Sequence, residues 1–302
     1  QKTHKIQAVG TNKYINFNYK LEGLFMKIDA HQHFWNFTKN ASDFIWMTDE
    51  LATLKQNFMP SDLDPLLAET GRDGSIAVQA REVVSETDFL LELAQKHNSI
   101  KGVVGWVDLC ADDVEEVLES YHGNQKLKGF RMLIHDRSDI DFADSAPHLN
   151  GVSLLKKFNY TYDLLLRTIH LPSAIRLVQK LPDQPFVVDH ISKPKMDGSD
   201  IEAWKHGIRE ISKFPNVMCK LSGLVTEGDW KKWNPADFVP YLDIVFEAFG
   251  ADRLMVGSDW PVCTVAANYN ATMNIVDDWA SKLSTEEQTL IFGGTCAKFY
   301  SV

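Results

Sequence analysis

The chain has 302 residues, 44% of them hydrophobic and 24% charged, with a formal net charge of −10. That is ample apolar material for a large core, and α/β barrels reach this length as one domain. The acidic balance excludes a broad nucleic-acid or anionic-membrane surface, since both select for basic residues. It leaves room for an anionic ligand in a locally positive pocket.

Residues 1–25 are mixed polar and lack the charged, apolar and small-residue regions of a signal peptide. They are expected to be an N-terminal extension of no assigned function, ahead of one domain running from Met26 to the C-terminus. No stretch reaches the roughly 18–20 apolar residues of a membrane helix. Cys110, Cys219, Cys263 and Cys296 are far apart with no CxxC pair, so they read as free thiols in a cytoplasmic protein.

From Met26 onward, short and nearly continuous apolar runs alternate with amphipathic stretches. The first run, Met26–His31, ends in His31-Gln32-His33. Residues two apart on a strand share a face, so both imidazoles are expected to project together, toward either a metal or a polar substrate. The second run, Ser75–Gln79, leads into Arg81, and a helical pattern follows over Glu86–His97. The third, Val103–Val107, contains Trp106 and precedes a helix over Val114–Tyr121. The fourth, Leu127–Leu133, carries Arg131, whose guanidinium suits a carboxylate or carbonyl or else a structural ion pair. The fifth, Tyr162–Leu166, runs into Arg167 and His170 before a helix at Ser173–Lys180.

The sixth run, Phe186–Asp189, is followed at once by His190, either a core residue with its hydrogen bonds met or a site residue. A helix over Glu202–Phe214 leads to the seventh run, Val217–Leu221, and another over Pro235–Phe249 to the eighth, Arg253–Gly257. Asp259 closes that last run, placed to act as a general base or metal ligand, with Trp260-Pro261 behind it. A final helical pattern covers Thr285–Phe292. Eight buried parallel-type strands alternating with helices predict a (β/α)₈ TIM barrel. A doubly wound sheet would show a Gly-rich turn after the first strand, where His-Gln-His stands instead. In the barrel, strand ends carry the chemistry, and His31, His33, His190 and Asp259 then form one ring.

With those residues in place, the chain resembles the amidohydrolase superfamily, and within it the sugar-lactonase branch of L-fuconolactonase and L-rhamnonolactonase type. The resemblance rests on IDAHQHFW, GWVDL, GFRMLIHD, VVDHISKP, CKLSGLVTE, RLMVGSDWPVC and the closing IFGG. It implies a distorted barrel of metallo-dependent-hydrolase type that opens a sugar-acid lactone in deoxy-sugar catabolism. Carried over, Asp259 activates the water, and His190 and Arg131 complete the catalytic group. His31, His33, Arg81, Trp106, His170 and Trp260 are expected to bind substrate, the aromatic faces suiting a sugar ring. A single metal such as Zn²⁺ would sit on His31, His33 and Asp259; catalysis without metal stays open. Arg131 stands where binuclear relatives carry a bridging carboxylated Lys or Glu, which argues against two metals. Thr295 replaces a commonly seen Asn after the Gly pair and is expected to cap a helix. The partner is a small-molecule lactone, with no nucleic acid and no membrane, and a homo-oligomer is left open. Metal-dependent decarboxylation of an unsaturated acid, and sugar-acid binding without catalysis, are the competing readings.

Overall fold

The structure is a computed structural model and describes residues 26–302, so the expectation for residues 1–25 lies outside the described residues. Eight strands pair in sequence order, every neighbour parallel: β1 (Ile28–Gln32), β2 (Gly74–Val78), β3 (Ile100–Gly105), β4 (Leu127–Leu133), β5 (Thr161–Leu165), β6 (Phe186–Val188), β7 (Val217–Leu221) and β8 (Leu254–Val256). Each is followed by a helix: α1 (Pro60–Glu69), α2 (Val84–Lys96), α3 (Val114–Ser120), α4 (Ala146–Leu155), α5 (Leu171–Lys180), α6 (Ile201–Ile211), α7 (Pro235–Phe249) and α8 (Tyr269–Ala280). This is a (β/α)₈ barrel. The strands are buried along nearly their whole length, because helices cover the outer face and side chains fill the lumen.

Closure falls between β1 and β8. The Asp259 amide donates to the His31 carbonyl at 2.8 Å, and the His33 amide donates to the Trp260 carbonyl at 2.7 Å. Asp29, fully buried on β1, clamps the same seam. Its carboxylate accepts from Ser258 N at 2.9 Å, Ser258 Oγ at 2.6 Å and Tyr269 Oη at 3.1 Å. Burial nevertheless pushes the Asp29 carboxyl above its ordinary value.

Some predicted boundaries move, for local reasons. The third strand begins at Ile100 and stops at Gly105 because Thr87 Oγ1 of α2 takes both backbone groups of Trp106, at 2.7 and 2.8 Å. The sixth ends at Val188, where the backbone turns left-handed at His190. The C-terminal helix expected over Thr285–Phe292 stops at Thr289 and widens into a π-type turn, Leu290–Gly294, before a last helix, Thr295–Tyr300. Thr295 does not cap it. Thr295 is its first residue and its hydroxyl donates to the Ala251 carbonyl at 3.1 Å, fastening the helix under β8.

That last helix closes the floor of the barrel. Cys296, Ala297 and Tyr300 pack with Ile28, Ala30, Ile76, Val78, Val104, Val187 and Met255 into a buried, largely apolar plug. Full burial of the larger of these, such as Ile28, Val78 and Met255, contributes about 1.5–3 kcal/mol each. The plug needs Gly293, since a Cβ there would lie 1.6 Å from the Met26 carbonyl oxygen. Gly293→Ala is therefore expected to lose about 3 kcal/mol or more of stability, measured as a lowered midpoint of urea unfolding followed by tryptophan fluorescence.

Candidate active site

Histidines from β1 and β6 and an aspartate from the β8 end meet at the C-terminal mouth. His31 Nε2 and His33 Nε2 are 3.3 Å apart. Asp259 Oδ1 lies 3.2 Å from His33 Nε2, 3.7 Å from His190 Nε2 and 3.8 Å from His31 Nε2. All four side chains are almost wholly buried. The outer nitrogens are held from behind: His33 Nδ1 by the Val78 carbonyl at 2.8 Å, and His190 Nδ1 by Ser222 Oγ at 2.8 Å. His31 Nδ1 faces Asp189 Oδ1 at 3.3 Å. Such partners orient each ring so that its Nε2 points into the centre.

Burial pushes the His31 and His190 imidazoles well below the usual histidine range, so both are neutral. Burial alone would raise the Asp259 carboxyl, but His190 and His33 outweigh it and hold it below its ordinary value. The centre thus presents the neutral imidazoles of His31 and His190 beside a carboxylate. His31, His190 and Asp259 each offer a donor atom within 4.8 Å of the others, a spacing and chemistry that fit a divalent cation. The trio expected from the sequence, His31, His33 and Asp259, is spaced as tightly, with donor atoms 3.3, 3.2 and 3.8 Å apart.

The backbone under the site is strained. His190, Ile191, Ser192 and Lys193 all have positive φ, at 53°, 47°, 63° and 45°, and Asp259 has φ 58°. Left-handed geometry costs about 1–2 kcal/mol per residue outside glycine. The turn is held by Lys193 N donating to the His190 carbonyl at 2.8 Å and Trp204 Nε1 donating to the Ile191 carbonyl at 2.7 Å. Gly223, at φ 63°, leaves the space for the ring: a Cβ there would sit 2.6 Å from His190 Cγ.

Below the histidines, the lumen holds a charge-balanced quartet of buried ions. Lys220 Nζ lies 2.5 Å from Asp163 Oδ2 and 3.0 Å from Asp189 Oδ1. Arg131 Nη1 donates to Asp189 Oδ2 at 2.9 Å and contacts His31 Nε2 at 3.2 Å, while its Nη2 donates to the Gln79 carbonyl at 2.6 Å. The sequence reading missed Asp163, Asp189 and Lys220. Their signal was a charged residue inside an otherwise apolar strand run, repeated on neighbouring strands; Arg131 and Asp163 are register partners on β4 and β5.

Above the histidines opens a cleft of about 140 Å³. It is lined by His33, Arg131, His190 and Asp259, by the apolar Trp35, Trp46, Leu133 and Leu165, and by the polar His135, Asp136 and Lys193. Burial, with Lys193 and Arg167 nearby, pushes the His135 imidazole down to about 2, so this wall is also neutral at that point. His135 and Lys193 do not stand out along the chain, because loop residues become neighbours only once the strands are arranged around the barrel.

Five expected substrate contacts are not at the cleft wall, and the first is His31, which has no exposed surface. Arg81 is spent on buried ion pairs with Glu86 at 2.7 Å and Asp43 at 2.8 Å. Trp106 packs, partly buried, against the core, and its backbone is held by Thr87. His170 is buried, accepting from Arg167 N at 3.2 Å to stabilise its own turn. Trp260 packs edge-on against Phe34 and Phe58, with ring centroids 6.1 and 5.3 Å apart. Of the aromatic residues, Trp35 and Trp46 are the ones that reach the cleft.

A parallel eight-stranded barrel with three imidazoles and an aspartate at its C-terminal mouth has the layout of a barrel hydrolase built around a polar, metal-competent centre. The Amidohydrolase family profile matches residues 28–302, and the chain belongs to that family. It is 39% identical over 288 residues to the L-fucono-1,5-lactonase of Burkholderia multivorans, covering 92% of this chain and 96% of the relative. It is 32% identical over 280 residues to the L-fucono-1,5-lactonase of Burkholderia ambifaria, covering 91% and 96%. A crystal structure of an amidohydrolase from Burkholderia multivorans with bound zinc superposes with a TM-score of 0.87 at 39% identity, covering 92% of this chain and 99% of that one.

The structural role of Arg81 is testable apart from catalysis. Arg81→Met leaves the fully buried Glu86 carboxylate without its guanidinium, which is expected to cost about 3–5 kcal/mol of stability. Chemical denaturation would report it, and a stable variant with impaired ligand binding would instead favour a substrate contact.

Proposed function

We propose that this protein hydrolyses a sugar-acid lactone of the L-fucono-1,5-lactone kind, with Asp259 as general base. The observation that carries the proposal is the convergence of His31, His33 and His190 on one oxygen of Asp259 at the floor of the cleft. The names of the two relatives point to the same chemistry. Asp259 Oδ1 takes a proton from water as the water oxygen bonds to the acyl carbon. The ring C–O bond then breaks, and the proton passes from Asp259 to the departing alkoxide. The hydroxy acid formed ionises at neutral pH, so each turnover releases one proton and no CO₂.

Arg131 serves this step mainly through its charge. Its Nη groups are committed to Asp189, His31 and Gln79, so it sets a positive potential at the cleft floor rather than forking onto a ligand. Trp46, backed by the buried Trp35, offers apolar surface to the CH face of the sugar, and His135, Asp136 and Lys193 face its hydroxyls. His31, His190 and Asp259 would hold one zinc ion, which when bound supplies Lewis-acid polarisation of the carbonyl. The zinc bound by the Burkholderia multivorans amidohydrolase supports that assignment. Four free thiols support a reducing, cytoplasmic setting.

Decarboxylation is the weaker reading, because both of these relatives are lactonases. A pH-indicator assay over fucono-, rhamnono-, galactono- and arabinono-lactones is expected to show proton release without CO₂. Asp259→Asn should lower kcat by about 10²–10⁴. Inactivity of the wild-type protein across that panel would sink the proposal. Elemental analysis of the purified protein is expected to find about one zinc per chain, and a metal-free protein with full activity would remove zinc from the mechanism.

A further inference from the structure

Lys220 is a lysine with no exposed surface, inside the barrel and one layer below the reacting groups. Its ammonium lies 2.5 Å from Asp163, which also accepts from the Tyr300 hydroxyl at 2.8 Å, and 3.0 Å from Asp189. It is also 3.3 Å from His31 Nδ1. An ammonium can only donate, and so can a guanidinium. Arg131 Nη1, 3.2 Å from His31 Nε2, meets that nitrogen's lone pair. The ring hydrogen therefore belongs on Nδ1, facing Asp189 Oδ1 at 3.3 Å. In that arrangement Lys220 donates to Asp163 Oδ2 and, as an ion pair at 3.0 Å, holds the Asp189 carboxylate beside the ring.

We infer that Lys220 is a positioning residue for the catalytic centre: anchored by Asp163, it pins Asp189 against the Nδ1 edge of His31 and so fixes the imidazole with its Nε2 lone pair toward Arg131, at the edge of the centre. The burial of all four groups supports a fixed arrangement, since each buried ion keeps its partner rather than exchanging it for water. Asp189 then acts behind the histidine as a carboxylate partner does in metal-ligand shells. The inference rests on the reading of His31 as part of the hydrolytic centre.

Removing the lysine alone would strand a buried carboxylate, so the test uses charge-compensated pairs, Asp163→Asn/Lys220→Met and Asp163→Asn/Lys220→Gln. Histidine ¹⁵N labelling and long-range ¹H–¹⁵N correlation spectra read the tautomer of His31, assigned by the signal lost in His31→Asn. The wild-type protein is expected to show His31 protonated on Nδ1. The compensated variants are expected to show a mixture of both tautomers and a kcat/KM lower by about 10–100-fold. A wild-type ring protonated on Nε2 would overturn the assignment, and so would wild-type tautomer and kcat/KM in either folded variant. The tautomer measurement needs no substrate. An absence of lactone turnover by the wild-type protein would therefore count against the proposed reaction and not against the role of Lys220.

Discussion

The seam between β1 and β8 is the constraint on which the site depends. His31 and His33 come from one side of it and Asp259 from the other, so these three groups meet only when the barrel closes. The closure is made by backbone bonds between those same residues and their neighbours: Asp259 N to the His31 carbonyl and His33 N to the Trp260 carbonyl. Asp29 adds a buried clamp across the seam through Ser258 and Tyr269. The hydrogen bonds that finish the fold also set the catalytic distances, so closing the barrel assembles the active site.

The arrangement is costly. The left-handed backbone from His190 to Lys193 and at Asp259, together with two buried carboxylates in the lumen, would each destabilise an isolated segment. The rest of the molecule offsets them. Lys220 and Arg131 neutralise Asp163 and Asp189, Trp204 ties down the Ile191 carbonyl, and the C-terminal helix seals the floor with Cys296, Ala297 and Tyr300. Strain and burial concentrate where side chains must be aimed accurately, while the outer helices carry ordinary apolar packing.

Much of this was legible along the chain. The eight apolar runs are the eight strands, because a strand buried on both faces must be apolar throughout, and that shows in any window. The polar residues at the ends of those runs, His31, His33, His190 and Asp259, stood out for the same reason. Arg81, Trp106, His170 and Trp260 looked alike from the sequence, since a polar or aromatic residue near a strand end serves equally well as ligand contact or structural partner. Their roles were decided by what lay opposite: Glu86 and Asp43 for Arg81, the hydroxyl of Thr87 for Trp106, a neighbouring amide for His170, and two aromatic rings for Trp260.

By itself, the sequence determined the barrel and the residue types at its mouth, because periodicity and apolar patterning are local properties carried by consecutive residues. Tertiary structure alone decided which of those residues face one another. Asp163 on β5, Asp189 after β6 and Lys220 on β7 become one ionic unit with Arg131 on β4 only after the strands are set side by side around a lumen. The joining of His190 to His31 and Asp259 required the left-handed turn after β6. Distances between side chains far apart in the chain depend on strand register, turn geometry and closure together, and no stretch of sequence contains them.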